Sequence, residues 1–155
     1  MNLFVVALGS NQGDREATLR AAAAAIAEID ETSVQRVSSF IDNTAITKQG
    51  PSDERPRYLN AVLLGETALL PSEMMSALHE IENRFGRIRQ ESWGDRTLDL
   101  DLISMGNLQR ETDPTLPHPR AHERDFVLAP WLEVDPQAFL VGKGPVSELL
   151  KLVTA

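Results

Sequence analysis

The stretch Thr97-Leu98-Asp99-Leu100-Asp101-Leu102-Ile103 alternates polar and apolar side chains, a period of two that fits a β-strand and not a helix. In a strand, residues two apart share a face. Leu98, Leu100 and Leu102 therefore turn to a core, and Asp99 and Asp101 stand together on the opposite face with their Cβ atoms roughly 6.5–7 Å apart.

Two carboxylates at that separation repel unless a cation lies between them. Mg²⁺ is commonly held by one or two carboxylates plus substrate phosphates. Arg96, shortly before Asp99, can offer a guanidinium fork to the same phosphates. A bare Asp-x-Asp is better read as the solvated face of an amphipathic strand. The preceding Trp93-Gly94-Asp95-Arg96 brings a ring, a turn glycine and an arginine together, which shifts the weight toward metal-assisted phosphate chemistry without naming a reaction.

The formal net charge of −8 argues against a general nucleic-acid binder, whose footprint is basic. Arginine dominates the 15 basic residues, and Arg84, Arg87, Arg89, Arg96, Arg120 and Arg124 fall in the second half of the chain. That concentration suits a small polyanion, although arginines scattered over an acidic surface explain the composition equally well. Cysteine is absent, which excludes disulfides, thiolate metal sites and a cysteine nucleophile. No apolar run approaches the roughly 18 residues of a membrane span, and Met1–Asn11 lacks the basic start of a signal peptide. A cytoplasmic chain forming one domain, residues 1–155, is expected.

Taken in order, Asn2–Leu8 is predicted as a strand. A turn and a helix to Ile29 follow, capped by Asn11 or Asp14, with Leu19, Ala22, Ile26 and Ile29 on one face. Gly9 reads as part of a tight structural turn. Val34–Phe40 is a second strand, and 42–57 a long loop of a length that is often functional. Tyr58–Glu66 is a third strand on which Tyr58 and Asn60 share a face. They form either a surface pair on an edge strand or a pocket that stacks on and hydrogen-bonds a heterocycle. Pro71–Phe85 is an amphipathic helix ended by Gly86, and the aspartate strand is the fourth. His118 sits between prolines that restrict its backbone, and Pro145–Val153 closes the chain as a helix. The order βαββαβ predicts an α+β, ferredoxin-like fold: a mainly antiparallel sheet, helices on one face, and the other face free to carry a site.

The motifs Ala7-Leu-Gly-Ser-Asn11-x-Gly13, Tyr58-Leu-Asn-Ala-Val62, Ile81-Glu82-x-x-x-Gly86-Arg87-x-Arg89, Trp93-Gly-x-Arg-Thr-Leu-Asp-Leu-Asp-Leu102, Leu116-Pro-His-Pro-Arg120 and His122-Glu-Arg-x-Phe126-Val-Leu-x-Pro130 span nearly the whole chain. Together they resemble the 6-hydroxymethyl-7,8-dihydropterin pyrophosphokinases of folate biosynthesis. The resemblance implies a ferredoxin-like monomer that moves a pyrophosphoryl group from ATP to the pterin hydroxymethyl oxygen and releases AMP, with no nucleic-acid or membrane partner. It implies that Asp99 and Asp101 hold two Mg²⁺ ions and that Arg87 and Arg96 face the phosphates, with Arg89 and Trp93 on the adjoining loop. It further implies that His118 and Arg124 meet the triphosphate, and that Thr115 and the Leu102 backbone hold the adenosine. Tyr58 and Phe126 would sandwich the pterin, and Asn60 with the Thr44 region would meet its hydrogen-bonding edge. The segments 42–57 and 88–95 are then expected to close over the substrates as lids. The rival readings are a catalytically weak pterin- or nucleotide-binding relative and a ferredoxin-like regulatory or RNA-binding module; the basic sheet face and aromatic pattern of the latter are not visible.

Overall fold

The computed structural model describes residues 1–11, 14–42, 58–86 and 98–154. Its elements are β1 (Asn2–Ser10), α1 (Arg15–Ala27), β2 (Thr32–Val37), β3 (Ile41–Asp42), β4 (Leu59–Thr67), α2 (Pro71–Gly86), β5 (Asp99–Met105), α3 (Asp125–Val134), β6 (Phe139–Leu140), β7 (Gly144–Pro145) and α4 (Val146–Thr154), with a 3₁₀ turn at Ala121–Glu123. The main sheet runs β2-β4-β1-β5, with β3 continuing beside β4, and every pairing is antiparallel. This is the expected ferredoxin-like order, in which β1 and β4 are central and β5 is an edge.

The apolar alternation explains the layers. Phe4, Val6, Leu8, Ala61, Leu63, Leu100 and Leu102 pack under Leu19, Ala22 and Ile26 of α1 and Met74, Leu78 and Ile81 of α2. Each large side chain buried this way contributes roughly 1.5–3 kcal/mol. The Asp14 carboxylate caps α1 by accepting from the Ala17 amide at 3.1 Å, as its position predicted.

Two expectations are amended. The second strand was predicted to reach Phe40 but ends at Val37. There the Ser38 hydroxyl accepts the Val62 amide at 2.9 Å in place of a ladder carbonyl, and Ser39 turns away to donate to Glu133. Nor is the second sheet face free along its length. Val5, Val62 and Ile103 are covered by Val127, Leu128, Trp131 and Val134 of α3 with Val146 and Leu149 of α4. Ile103 reaches that layer by plain alternation from Asp99 and Asp101, and the register shift against Val5/Val6 is a bulge that returns Met105 to the first layer. The last third of the chain thus roofs one end of this face and leaves the other end open.

Candidate active site

The open end is built from two rows across three strands. Asn60 pairs with Gly9, which pairs with Asp99; one step inward, Val62 pairs with Ala7, which pairs with Asp101. Paired residues in an antiparallel sheet point the same way, so the two smallest side chains of β1 make a floor between an amide and two carboxylates. A cavity of about 650 Å³ stands on this floor, lined by Ala7, Gly9, Tyr58, Asn60, Asp99 and Asp101 below and by Arg120, Glu123, Arg124, Phe126 and Val127 above. That volume suits a small-molecule site. A larger cavity of about 750 Å³ lies at the opposite end of the sheet among Asn2, Arg36, Ser104, Trp131 and Phe139. It has no paired carboxylates, so the chemistry belongs to the smaller one.

The two aspartates have different neighbours. The Tyr58 hydroxyl donates to Asp99 Oδ2 at 3.2 Å. Asp101 faces Arg124 Nη1 at 3.5 Å and His118 Nε2 at 3.9 Å. Arg124 also stands 5.7 Å from the centre of the Phe126 ring. These two residues flank the start of α3, in which Pro130 cannot donate the helical hydrogen bond to the Phe126 carbonyl.

His118 is aimed from both sides. Its own amide donates to the Ile103 carbonyl at 2.8 Å, beside the outer edge of β5, and its Nδ1 accepts from the Arg120 amide at 3.2 Å. The neutral ring then carries its proton on Nε2, toward Asp101. Burial holds its pKa below the usual 6.5, with Asp101 opposing that shift and Arg124 and Arg120 adding to it. A lowered folded-state pKa means that stability is fully present above 6.5 and is lost as pH falls through 6.5 toward the folded value. In the ligand-free protein, NMR titration should place His118 below 6.5. Asp101→Asn should lower it further and Arg124→Gln should raise it. A midpoint above 6.5 would show that Asp101 outweighs burial.

Asn60 is 5% exposed. Among the described residues its one hydrogen bond runs from Nδ2 to the Tyr58 carbonyl at 3.5 Å, so the amide keeps capacity for a ligand. Its strand is central, flanked by β1 on one side and β2 and β3 on the other, which excludes the surface-pair reading of Tyr58 and Asn60.

Asp99, Asp101, His118, Arg124, Tyr58, Asn60 and Phe126 therefore meet at one place. Thr115 does not join them: it is exposed, and its hydroxyl donates to the Glu111 carbonyl at 2.8 Å. The Leu102 side chain is in the core. Its backbone groups share the outward direction of Leu100, whose amide donates away from the sheet to Glu82. Thr44, Arg87, Arg89, Trp93 and Arg96 lie outside the described residues, as do the expected lid segments but for Asp42.

Sequence reasoning missed Ala7, Gly9, Arg120 and Glu123 as cavity residues. For the first two the signal was available, because small residues at alternate positions of a strand leave a hollow on one face. A Cβ on Gly9 would meet Tyr58 Cδ1 and Asn60 Oδ1, each at 3.3 Å. Gly9→Val should displace both side chains and weaken binding of a heterocycle by about tenfold, the scale of mild overpacking. Unchanged affinity by calorimetry would show that the floor has room to spare.

Residues 5–136 match the family described as 7,8-dihydro-6-hydroxymethylpterin-pyrophosphokinase (HPPK). The 2-amino-4-hydroxy-6-hydroxymethyldihydropteridine pyrophosphokinase of Haemophilus influenzae is 39% identical over 148 residues, covering 94% of this chain and 89% of that protein. The Bacillus subtilis protein of the same name is 38% identical over 134 residues, or 86% of this chain and 78% of the relative. Among solved structures, wild-type HPPK-DHPS of Plasmodium falciparum aligns with a TM-score of 0.67 at 12% identity, over 97% of this chain and 41% of that one. At that identity the likeness speaks for the fold alone, and this chain spans less than half of the solved protein.

Proposed function

The chain belongs to the 7,8-dihydro-6-hydroxymethylpterin-pyrophosphokinase family, and from that premise we propose how its residues divide the work. The reaction is the transfer of a pyrophosphoryl group from ATP to the hydroxymethyl group of 6-hydroxymethyl-7,8-dihydropterin, with release of AMP, in folate biosynthesis.

The observation that carries the division is the pair of rows Asn60–Gly9–Asp99 and Val62–Ala7–Asp101. They set an amide suited to a heterocycle across β1 from the carboxylate pair. In our reading the pterin lies over Gly9 between the Tyr58 and Phe126 rings, and its donor–acceptor edge meets Asn60. This points its hydroxymethyl arm toward the aspartates.

Asp99 and Asp101 suit Mg²⁺. They are hard oxygen donors on one strand face, and no group of three or more His, Cys, Asp or Glu among the described residues could enclose an ion. An ion held here would take its remaining ligands from water and phosphate, as Mg²⁺ commonly does. Two bound Mg²⁺ ions would neutralise the triphosphate and polarise the β-phosphorus. With Asp101 turned to a metal, Arg124 and His118 would be released from it and would meet phosphate oxygens. Arg87, Arg89, Arg96 and Trp93 join that role on sequence grounds, with Thr44 at the pterin edge and Thr115 and the outward Leu102 backbone at the adenosine. Phosphoryl transfer asks chiefly for positioning and charge neutralisation, so no side-chain base is assigned. We read the protein as a cytoplasmic monomer with no nucleic-acid or membrane partner. The net charge of −8 supports the absence of a nucleic-acid partner.

Incubation with ATP, Mg²⁺ and 6-hydroxymethyl-7,8-dihydropterin should yield AMP and the pterin diphosphate in equal amounts. Pterin binding without AMP would instead mark a catalytically weak relative.

A further inference from the structure

Glu82 is the acidic residue of the Ile81-Glu82-x-x-x-Gly86-Arg87 motif, to which no role has yet been given. It lies one helical turn beyond Leu78 of α2, next to Ile81, and both of those side chains are in the core. A carboxylate at that position is half-buried and is costly there without a partner. Its Oε2 accepts the Leu100 amide at 2.7 Å, the length of a charge-assisted hydrogen bond.

Leu100 stands between Asp99 and Asp101 on β5, the edge strand of the sheet. Its inner neighbours are tied to β1 through the pairs Gly9–Asp99 and Ala7–Asp101. On the outer side, among the described residues, the strand is held by Glu82 at the Leu100 amide and by the His118 amide at the Ile103 carbonyl. The two like charges on this strand favour any twist that separates them, and the outer hydrogen bonds oppose it.

We propose that Glu82 is a positioning residue whose carboxylate clamps the outer edge of β5 at Leu100 and so fixes the separation and facing of Asp99 and Asp101. This rests on the metal reading given above. The clamp acts on the metal ligands through the backbone, in the manner of the outer-shell groups that orient first ligands elsewhere. An oxygen acceptor of the right reach is what the clamp needs, so glutamine replaces glutamate and aspartate, one methylene shorter, does not.

The test measures Mn²⁺ binding in the presence of an ATP analogue with a methylene between the α and β phosphates, alongside amide hydrogen exchange at Leu100 and metal-free pterin binding by calorimetry. Glu82→Ala should weaken Mn²⁺ binding about 10- to 100-fold, expose the Leu100 amide to exchange and leave pterin affinity unchanged. Glu82→Gln should restore both the Mn²⁺ affinity and the protection. The proposal is overturned if Glu82→Ala binds Mn²⁺ like the wild type, if pterin affinity falls in parallel, or if Glu82→Gln loses the metal with Leu100 still protected. Should Glu82→Ala fail to fold, Glu82→Asp decides the matter: weakened Mn²⁺ binding with Leu100 exchanging supports the clamp, and wild-type binding overturns it. Were the wild-type protein to take up no Mn²⁺ with the analogue, the metal assignment would fall and the clamp with it, an outcome distinct from failure of the variants alone.

Discussion

Asp99→Ala and Asp101→Ala should each lower the rate of AMP formation by about 10³-fold or more, the upper end of the loss seen when a group that stabilises developing charge is removed. Each substitution takes away one of two carboxylates on the same face of β5, and among the described residues no cluster of three or more potential ligands could replace them. Asp99→Ala relieves repulsion between like charges and removes the acceptor of the Tyr58 hydroxyl. Asp101→Ala strands Arg124 and His118, whose side chains are 26% and 21% exposed, and its melting temperature should fall. Asp101→Asn keeps the volume and removes the charge, and should match Asp101→Ala in activity. Near-normal AMP formation in both alanine variants would end the metal assignment. An unchanged melting temperature in Asp101→Ala would mean that Arg124 does not depend on Asp101.

How far the sequence alone reached follows from the range over which each feature is encoded. The alternation in Thr97–Ile103 is local, and it placed Leu98, Leu100 and Leu102 in the core and the aspartates opposite them, as observed. The caps and helical spacings of α1 and α2 are local as well. The place of β4 in the sheet depends on strand order, which no short window encodes, so Tyr58 and Asn60 stayed open between surface and pocket. The roof over the second face was missed for a related reason. Val127-Leu128-Ala129 reads as a short apolar run, and only the packing of Trp131 and Val134 on Val5, Val62 and Ile103 makes it a layer. His118, Arg124 and Phe126 were legible through the motif resemblance rather than through periodicity, because they come from a turn and a helix start whose direction is set by the edge of β5. Gly9 was read as a turn residue, although its register opposite Asn60 and Asp99 makes it the floor of the cavity.

That floor brings Tyr58 within reach of both halves of the reaction, and two substitutions there should separate its contributions. Tyr58→Ala removes the ring and the hydroxyl together and should weaken pterin binding roughly 5- to 150-fold, the range set by about 1–3 kcal/mol for stacking on an aromatic face. Phe126→Ala should fall in the same range, since its ring lines the same cavity from above. Tyr58→Phe keeps the stacking surface and removes the hydroxyl that donates to Asp99 Oδ2, so pterin affinity without metal should stay near that of the wild type. Its effect belongs on the metal side: Asp99 loses a donor that competes with the cation and also holds the carboxylate in place. The metal concentration for half-maximal activity in Tyr58→Phe should therefore shift while pterin binding does not. Affinity for the ATP analogue should change little in any of the three, because neither ring is assigned to the nucleotide. Calorimetry with each ligand separately checks this. A loss in Tyr58→Phe equal to that in Tyr58→Ala would assign pterin binding to the hydroxyl rather than the ring. Equal losses for pterin and nucleotide in Tyr58→Ala would return Tyr58 to a structural role.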